Sequence, residues 1–456
     1  MKSKLKKIPG SIVAPQGFKA SGVYCDIKRL GTGKGSDKGR KRDLALIVSE
    51  CPATVAGMFT TNQVCAAPVK VCIPRVRRGA AQAVVVNSGN ANACTGRQGM
   101  RDALEMARFT ERALRLPAGT VLVGSTGRIG EPIPMDNVRA GIIEAAVELG
   151  STARYADRAE EAIMTSDTRP KQIAVEFRLG GRRVRLGGIC KGAGMIQPGM
   201  SVTGRRPAAR PLHATMLCFL TTDAAVGAVP LQAALREAVA QSFNRITVDG
   251  DMSTNDTVLI LANGRAGNRE FGVRPPSRRS GALARREGGS PEFGVFQHAL
   301  NHVCLELAKM IVRDGEGVSR FVTIRVDGAR NDADADAAAR AVANSALVKT
   351  SWHGGDPNWG RIMDALGYSA ARIIEDRVDI GYSPPGGSAV LWSLKQGQPT
   401  KATFRQLCAA VAKAEFDLHI RLHLGRGQAT LYAADLTEEY VAFNKGDVGD
   451  PASLGG

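Results

Sequence analysis

Short apolar runs of strand length alternate along the chain with longer amphipathic stretches of helix length. Uninterrupted apolar runs predict strands buried on both faces, whereas apolar residues spaced three and four apart predict helices that cover a sheet. The predicted strands are 83–87, 120–124, 172–179, 184–189, 216–222 and 257–262. The predicted helices are 99–116, 135–149, 295–313, 336–346 and 403–414. This alternation predicts an α/β protein with layered sheets and helices.

Glycines between two pairs of apolar runs indicate hairpins. Residues 172–179 and 184–189 flank Gly180 and Gly181, and residues 418–424 and 428–432 flank Gly425. Because glycine adopts the positive φ angles that tight turns require, each pair is predicted to be two adjacent antiparallel strands.

Four segments rich in Gly, Ser, Pro and basic residues interrupt this pattern and are predicted to be a terminal tail and three inserted surface loops. They are 1–10, 28–43, 201–213 and 265–297. The 456-residue chain has 61 Lys and Arg against 43 Asp and Glu, and these segments carry nearly all of its net charge of +18. Aromatic residues make up only 5% of the chain, too few for stacking on single-stranded nucleic acid. We therefore expect no nucleic-acid partner.

Targeting and metal-binding signals are missing from the sequence. No run approaches 18 apolar residues, and the basic start MKSKLKKIPG lacks the apolar core of a secretory signal, so we expect a cytoplasmic protein without a membrane partner. The nine cysteines are scattered without a C-x-x-C pair, which predicts free thiols in a reducing compartment. The histidine pairs 298/302 and 419/423 lack the Glu of H-E-x-x-H. Neither a metal nor a bound cofactor is expected.

Two polar, glycine-containing segments follow predicted strands. NSGNANACTG at 87–96 is too polar for a core helix, so its donors serve either turns or a ligand. In GSTGRIGEP at 124–132, backbone N–H groups of a glycine-rich turn could converge on a negative oxygen, as in an oxyanion hole, or the segment could be a plain turn. Residues 242–256 and 351–361 are similarly polar and either line a cleft or join elements.

A threonine at the head of a buried strand is the main candidate for a nucleophile. The turn GAGMIQP at 192–198 is followed by a loop and then by Thr215, which directly precedes the apolar run 216–220. If the Ala214–Thr215 bond is cut, the freed α-amine of Thr215 can act as the base for its own hydroxyl. The bare pattern by itself favours the alternative, in which Thr215 is simply a β-branched residue beginning an edge strand.

In their order along the chain, these segments resemble the ArgJ family, the ornithine acetyltransferases (glutamate N-acetyltransferases) of arginine biosynthesis. The matching motifs are FTTN at 59–62, NSGNANACTG at 87–96, STGRIGEP at 125–132, MTSDTRPK at 164–171, KGAGMIQP at 191–198, ATMLCFLTTDA at 214–224, SFNRITVDGD at 242–251 with STNDT at 253–257, IVRDGEG at 311–317 and DPNWGR at 356–361. The resemblance extends from about residue 11 to residue 444.

This resemblance implies a DmpA/ArgJ-type layered α/β sandwich that is analogous to the N-terminal-nucleophile hydrolases and processes itself into two chains. The α chain would comprise residues 1–214 and the β chain residues 215–456, assembled as α2β2. The reaction would be ping-pong transfer of an acetyl group from N2-acetyl-L-ornithine to L-glutamate through acetyl-Thr215. Acetyl-CoA as a second donor is left open, and no cofactor is implied.

The resemblance also assigns roles to individual residues. Thr215 would be the nucleophile, Ala214–Thr215 the cleavage site, and Thr126 and Gly127 the oxyanion hole. The substrate-binding residues would be Thr165, Lys191, Thr215, Glu316 and Asn444. These types suit the substrates, because a cation binds a carboxylate, a carboxylate binds an amine and a hydroxyl can be acylated.

The chain departs from the family pattern at three places. The segment 201–213 separates the 191–198 motif from Thr215, no threonine follows Asn444, and the loop 265–297 is longer than usual. Two other functions therefore compete with acetyl transfer. One is a related N-terminal-nucleophile amidase or aminopeptidase, in which water accepts the acyl group. The other is an unprocessed, inactive paralogue or a basic binding protein that uses its loops.

Overall fold

The computed structural model describes residues 5–28, 41–205, 216–271 and 291–445. Within these ranges the chain forms the following strands: β1 Lys6–Lys7, β2 Phe18–Val23, β3 Leu44–Thr60, β4 Ala80–Asn90, β5 Val121–Arg128, β6 Lys171–Leu179, β7 Arg182–Lys191, β8 Met200–Ser201, β9 Leu217–Thr222, β10 Ile246–Thr247, β11 Thr257–Ala262, β12 Phe321–Ala329, β13 Asp379–Ser383, β14 Leu391–Lys395, β15 Gln398–Pro399, β16 Glu415–Arg421 and β17 Gly427–Ala434. The helices in the same ranges are α1 Ala67–Val76, α2 Gly96–Ala113, α3 Met135–Val147, α4 Ala153–Ile163, α5 Ala228–Gln241, α6 Pro291–Arg313, α7 Asp332–Asn344, α8 Ala346–His353, α9 Trp359–Gly367, α10 Phe404–Val411 and α11 Glu438–Asn444.

The first sheet has the strand order β1-β6-β7-β9-β11-β3-β4-β5, with β2 and β8 also paired to β3. The long strand β3 bends in its middle. Its first half, from Leu44 to Val48, pairs with β4, whereas its second half, from Thr54 to Phe59, pairs with β11. The register shifts between these halves, at a β-bulge that contains Pro52. The bend therefore divides the sheet into two layers.

The two layers pack face to face, with helices on their outer sides. In the layer formed by β2 to β5, Gly124 of β5 faces Phe219 of β9, whose ring would lie 3.1 Å from an added Cβ. One face of β9 thus joins a core that includes β4, β5 and helices α1 to α3. The other face, with Cys218 and Leu220, packs into a core with α5 and α6. The order of layers is helix, sheet, sheet, helix, which confirms the predicted α/β sandwich.

The second sheet has the order β10-β17-β12-β16-β13-β14-β15 and packs against α7 to α10 in a separate core. The predicted hairpin between 418–424 and 428–432 is wrong, because β12 lies between β16 and β17 and pairs with both. The connection crosses the end of β12, where the Leu422 N–H donates to Asp327 O at 2.9 Å. Since β12 lies about 90 residues earlier in the chain, local periodicity did not reveal it.

Most of the other predicted elements are confirmed, with shifted ends. The β6–β7 hairpin pairs continuously from Lys171 opposite Cys190 to Leu179 opposite Arg182. Strand β5 runs to Arg128 and so includes the polar residues that follow the predicted apolar run. Helix α6 begins at Pro291, inside the segment 265–297 that the sequence indicated as a loop.

The ends of the predicted loop 28–43 are anchored in the core. Lys28 is buried, and its ammonium donates to Arg42 O at 2.6 Å. The buried carboxylate of Asp43 accepts the N–H groups of Cys25 and Ile27, both at 2.7 Å. These buried contacts correct the expectation that the whole segment is surface loop. In the described part of the chain, no helix is both long and apolar enough to cross a membrane.

Candidate active site

The predicted oxyanion residues lie at the end of β5, beside β4. These strands are parallel, with Ser88 opposite Thr126 and Gly89 opposite Gly127. Gly127 has a φ of 127°, and an added Cβ would lie 2.3 Å from the carbonyl carbon of Gly89. Only glycine fits where the two backbones approach so closely. The 124–132 segment therefore has a conformation that a side chain at residue 127 would prevent.

A buried amide braces this turn from the neighbouring layer. The Nδ2 group of Asn255 donates to Ser125 O at 2.8 Å and to Ala91 O at 2.7 Å. Asn255 lies two residues before β11, and its side chain is fully enclosed. It thus links the two polar segments 87–96 and 124–132 to the motif STNDT.

Lys191, the last residue of β7, brings a positive charge to the oxyanion turn. Its side chain is 3% exposed, and its Nζ donates to Thr126 Oγ1 at 3.3 Å. Burial lowers the pKa of Lys191, opposed by Asp167 and reinforced by the like charge of Lys171. A lysine held in so dry a position can respond strongly to charge that develops on a substrate.

Two further predicted substrate residues, Glu316 and Asn444, lie together. The Glu316 carboxylate lies over Gly194, where an added Cβ would be 2.3 Å from an oxygen, and the Glu316 N–H donates to Ala193 O at 2.9 Å. Asn444, on the exposed side of α11, donates from Nδ2 to Glu316 Oε2 at 3.0 Å. The turn after Lys191 therefore contacts the Glu316 carboxylate, to which Asn444 is hydrogen-bonded.

Thr165 is connected to the same turn through Asp167. The Asp167 carboxylate accepts the N–H of Thr165 at 2.9 Å and the N–H of Gly192 at 2.7 Å. The structure thus brings together Thr126, Gly127, Thr165, Lys191, Glu316 and Asn444.

Ala214 and Thr215 lie outside the described residues, and the chain resumes directly at Met216. The Met216 carbonyl accepts the Thr257 N–H at 3.0 Å. Leu217, which begins β9, is the register partner of Lys191. The described chain therefore starts again, one residue after the predicted nucleophile, next to the strand that ends in Lys191.

Three aspartates at the site were not singled out by sequence reasoning, although they lie inside quoted motifs. They are Asp167, Asp256 and Asp314. The fully buried Asp256 carboxyl accepts the Met216 N–H through Oδ1, while no partner for its Oδ2 is found among the described residues. Burial raises the pKa of Asp256 well above the usual range, although Met216 and Lys191 act in the opposite direction. In the sequence, the one feature that marks these three aspartates is an acidic residue within a polar turn.

The 351–361 segment, by contrast, has a structural role in the second sheet's helices. The Asn358 side chain accepts the Arg361 N–H at 3.0 Å and so caps α9.

No cluster of three or more metal-binding side chains occurs in the described ranges. All nine cysteines are free thiols.

The site combines a buried ammonium, a hydroxyl and a glycine turn with a carboxylate and an amide. Such a site can stabilise an oxyanion and bind a charged amine. The fold and this site define an acyl-transfer enzyme on an α/β sandwich. The ArgJ family model matches residues 19–446. The chain belongs to the ArgJ family, and it is an acetyltransferase of arginine biosynthesis.

Two relatives match nearly the whole chain, and a solved structure matches part of it. The arginine biosynthesis bifunctional protein ArgJ of Symbiobacterium thermophilum is 46% identical over 437 residues, which cover 96% of this chain and 98% of that protein. The protein of the same name from Geobacter sulfurreducens is 44% identical over 429 residues, covering 94% and 98%. A solved ornithine acetyltransferase from Mycobacterium tuberculosis, complexed with ornithine, is 36% identical, covers 43% of this chain and 100% of its own, and has a TM-score of 0.39.

Proposed function

We propose that the enzyme transfers the acetyl group of N2-acetyl-L-ornithine to L-glutamate through an acetyl ester on Thr215. The observation that carries this proposal is the contact of the Lys191 ammonium with the Thr126 hydroxyl, 3.3 Å apart. Because the lysine donates to the hydroxyl oxygen, the O–H of Thr126 stays available to donate to a developing oxyanion.

The reaction has two half-reactions. The Thr215 hydroxyl attacks the acetyl carbonyl and passes its proton to the α-amine of Thr215. The tetrahedral oxyanion is held by the Thr126 hydroxyl and the Gly127 N–H, and it collapses as the C–N bond breaks and ornithine leaves with the proton. The glutamate amine then attacks the acetyl ester and passes a proton to the α-amine of Thr215, which delivers it to the Thr215 oxygen as the ester C–O bond breaks.

The charges at the site suit both substrates. Lys191, with Thr165 beside it, would bind the α-carboxylate that ornithine and glutamate share. Glu316, hydrogen-bonded to Asn444 at 3.0 Å, would bind the side-chain ammonium of ornithine. Acetyl-CoA as a second acetyl donor needs only the same oxyanion hole and nucleophile.

The free amine of Thr215 requires self-cleavage into an α chain, 1–214, and a β chain, 215–456. Strands β9 and β11 of the β chain lie in the middle of the first sheet, between β7 and β3. They pair with these neighbours over six residues each. Hydrogen bonds and a shared core would keep the two products together, and we propose an α2β2 assembly in the cytoplasm, where free thiols persist.

Intact mass and a transfer assay test this proposal together. We expect two fragments that begin at Met1 and at Thr215, and transfer of acetyl from acetylornithine to glutamate. An assay with acetyl-CoA and glutamate, without acetylornithine, distinguishes a bifunctional enzyme, which acetylates glutamate, from a monofunctional one, which does not. Acetyl release that is equally fast without glutamate would instead indicate an amidase, and a single uncut chain would overturn the Thr215 mechanism.

A further inference from the structure

An ion cluster lies behind the substrate-binding residues, and the proposed reaction does not use it. The Lys171 side chain is 1% exposed, and its Nζ contacts Asp167 Oδ1 at 2.6 Å and Asp314 Oδ2 at 2.5 Å. A third contact, to Arg169 O at 3.4 Å, accounts for the last of its three N–H donors. A buried ammonium with two carboxylates is costly unless its partners are all satisfied, as they are here.

Each carboxylate of the cluster also holds the backbone of an element that carries a substrate residue. Asp167 accepts the N–H of Thr165 and the N–H of Gly192, the residue after Lys191. Asp314 accepts the N–H of Thr168 at 3.0 Å and lies two residues before Glu316. Three chain segments that are distant in sequence thus meet at one ammonium.

We propose that Lys171 is a positioning residue of the acetyl-transfer site. Its ammonium, clamped between Asp167 and Asp314, sets the relative placement of three substrate-contacting elements. Those elements carry Thr165, Lys191 and Glu316. The inference rests on the proposed function, because it assigns these residues to substrate binding.

The cluster also acts electrostatically on Lys191. The titratable groups that influence the Lys191 ammonium electrostatically are Asp167, Lys171, Glu316 and Asp256. Lys171 is a like charge and lowers the pKa of Lys191, whereas Asp167 raises it. Removing Lys171 must therefore raise the pKa of Lys191, and neutralising Asp167 must lower it.

The two substitutions are expected to shift the pKa of Lys191 in opposite directions, which a purely structural role of Lys171 would not produce. We expect Lys171→Met to lower kcat/KM by about 100-fold, mainly through a higher KM for both substrates, since small displacements of binding groups have effects of this size. Its alkaline limb of kcat/KM moves to higher pH, whereas that of Asp167→Asn moves to lower pH. Both variants still self-cleave, as intact mass would show.

The matched control is another buried cation at the far end of β5. The Arg75 side chain, 10% exposed, pairs with Glu111 at 2.8 Å. It donates to Val121 O, about 16 Å of strand from Thr126. Arg75→Met removes a comparable ion pair and lowers the melting temperature, but leaves both KM values and the pH profile unchanged.

The possible outcomes distinguish a failure of the proposed function from a failure of the positioning role of Lys171. Wild-type enzyme that transfers no acetyl group overturns the proposed function. Active wild-type enzyme with a Lys171→Met variant that behaves like Arg75→Met overturns the positioning role. So do alkaline limbs that move in the same direction in Lys171→Met and Asp167→Asn. If Lys171→Met does not fold, the KM values of Asp167→Asn, which removes one half of the clamp, decide alone: unchanged KM values for both substrates contradict the inference, and raised values support it.

Discussion

The Lys191 ammonium lies 3.3 Å from the Thr126 hydroxyl, although β7 and β5 are separated by four strands in the order of the first sheet. In a flat sheet, that separation would be about 24 Å, at 4.8 Å per strand. The contact forms because β3 bends at its bulge and folds the sheet into two facing layers. The end of each layer thereby contributes one half of the proposed oxyanion site.

This contact predicts a pH dependence of the reaction. Since burial lowers the pKa of Lys191 from its ordinary 10.5, the enzyme loses the supporting charge as pH rises through that lowered value. We expect kcat/KM to decline on the alkaline side below pH 10.5. Lys191→Arg keeps its charge at these pH values and should lose the decline, although its activity is lower throughout. An identical alkaline decline in Lys191→Arg would exclude Lys191 as the titrating group.

Gly127→Ala should impair the oxyanion turn. The added Cβ would collide with Gly89 at 2.3 Å, so the two strands must separate and the residue 127 N–H moves. We expect kcat to fall by about 10²–10³-fold, as when an oxyanion donor is lost. The control is Gly130→Ala, which has a similarly positive φ of 88° but nothing within 4 Å. Equal losses of kcat in both variants would attribute the effect to backbone strain alone.

Thr215→Ala should abolish both self-cleavage and acetyl transfer, because the variant lacks the hydroxyl on which both steps depend. The matched control is Thr203→Ala in the 201–213 segment, whose hydroxyl accepts the Arg205 N–H at 3.3 Å. Thr203→Ala should cut and transfer normally. Intact mass and the transfer assay measure both properties, and retained turnover in Thr215→Ala would place the nucleophile elsewhere.

Asp256→Asn should be tolerated better by the fold than Asp256→Ala. Asn keeps an oxygen that accepts the Met216 N–H, whereas Ala leaves that buried donor unpaired at a cost of about 1–3 kcal/mol. Because the pKa of Asp256 is raised on folding, its contribution to stability is lost as pH rises above about 4. The stability of Asp256→Asn relative to wild type should therefore increase with pH in urea unfolding. A difference independent of pH would contradict the raised pKa.

Local patterns were sufficient for most elements. Val84 to Val86 and the run from Leu217 to Leu220 are apolar at every position because those strands are covered on both faces, and this can be read locally. Local patterns could not show that β16 and β17 do not form the predicted hairpin. Their partner β12 enters between the strands from far along the chain, and periodicity carries no information about pairing.

The sequence by itself determined the family, the alternation of strands and helices, and the positions of Thr126, Gly127, Lys191 and Glu316 within ordered motifs. The tertiary structure alone decided that these motifs converge, because the bend of β3 stacks one layer on the other. It alone revealed Asp167, Lys171 and Asp314 as one cluster, since the buried ion pair of Lys171 with Asp314 joins residues 143 positions apart. It also showed that Lys171 and Lys191, two of the many basic residues, are buried at the site.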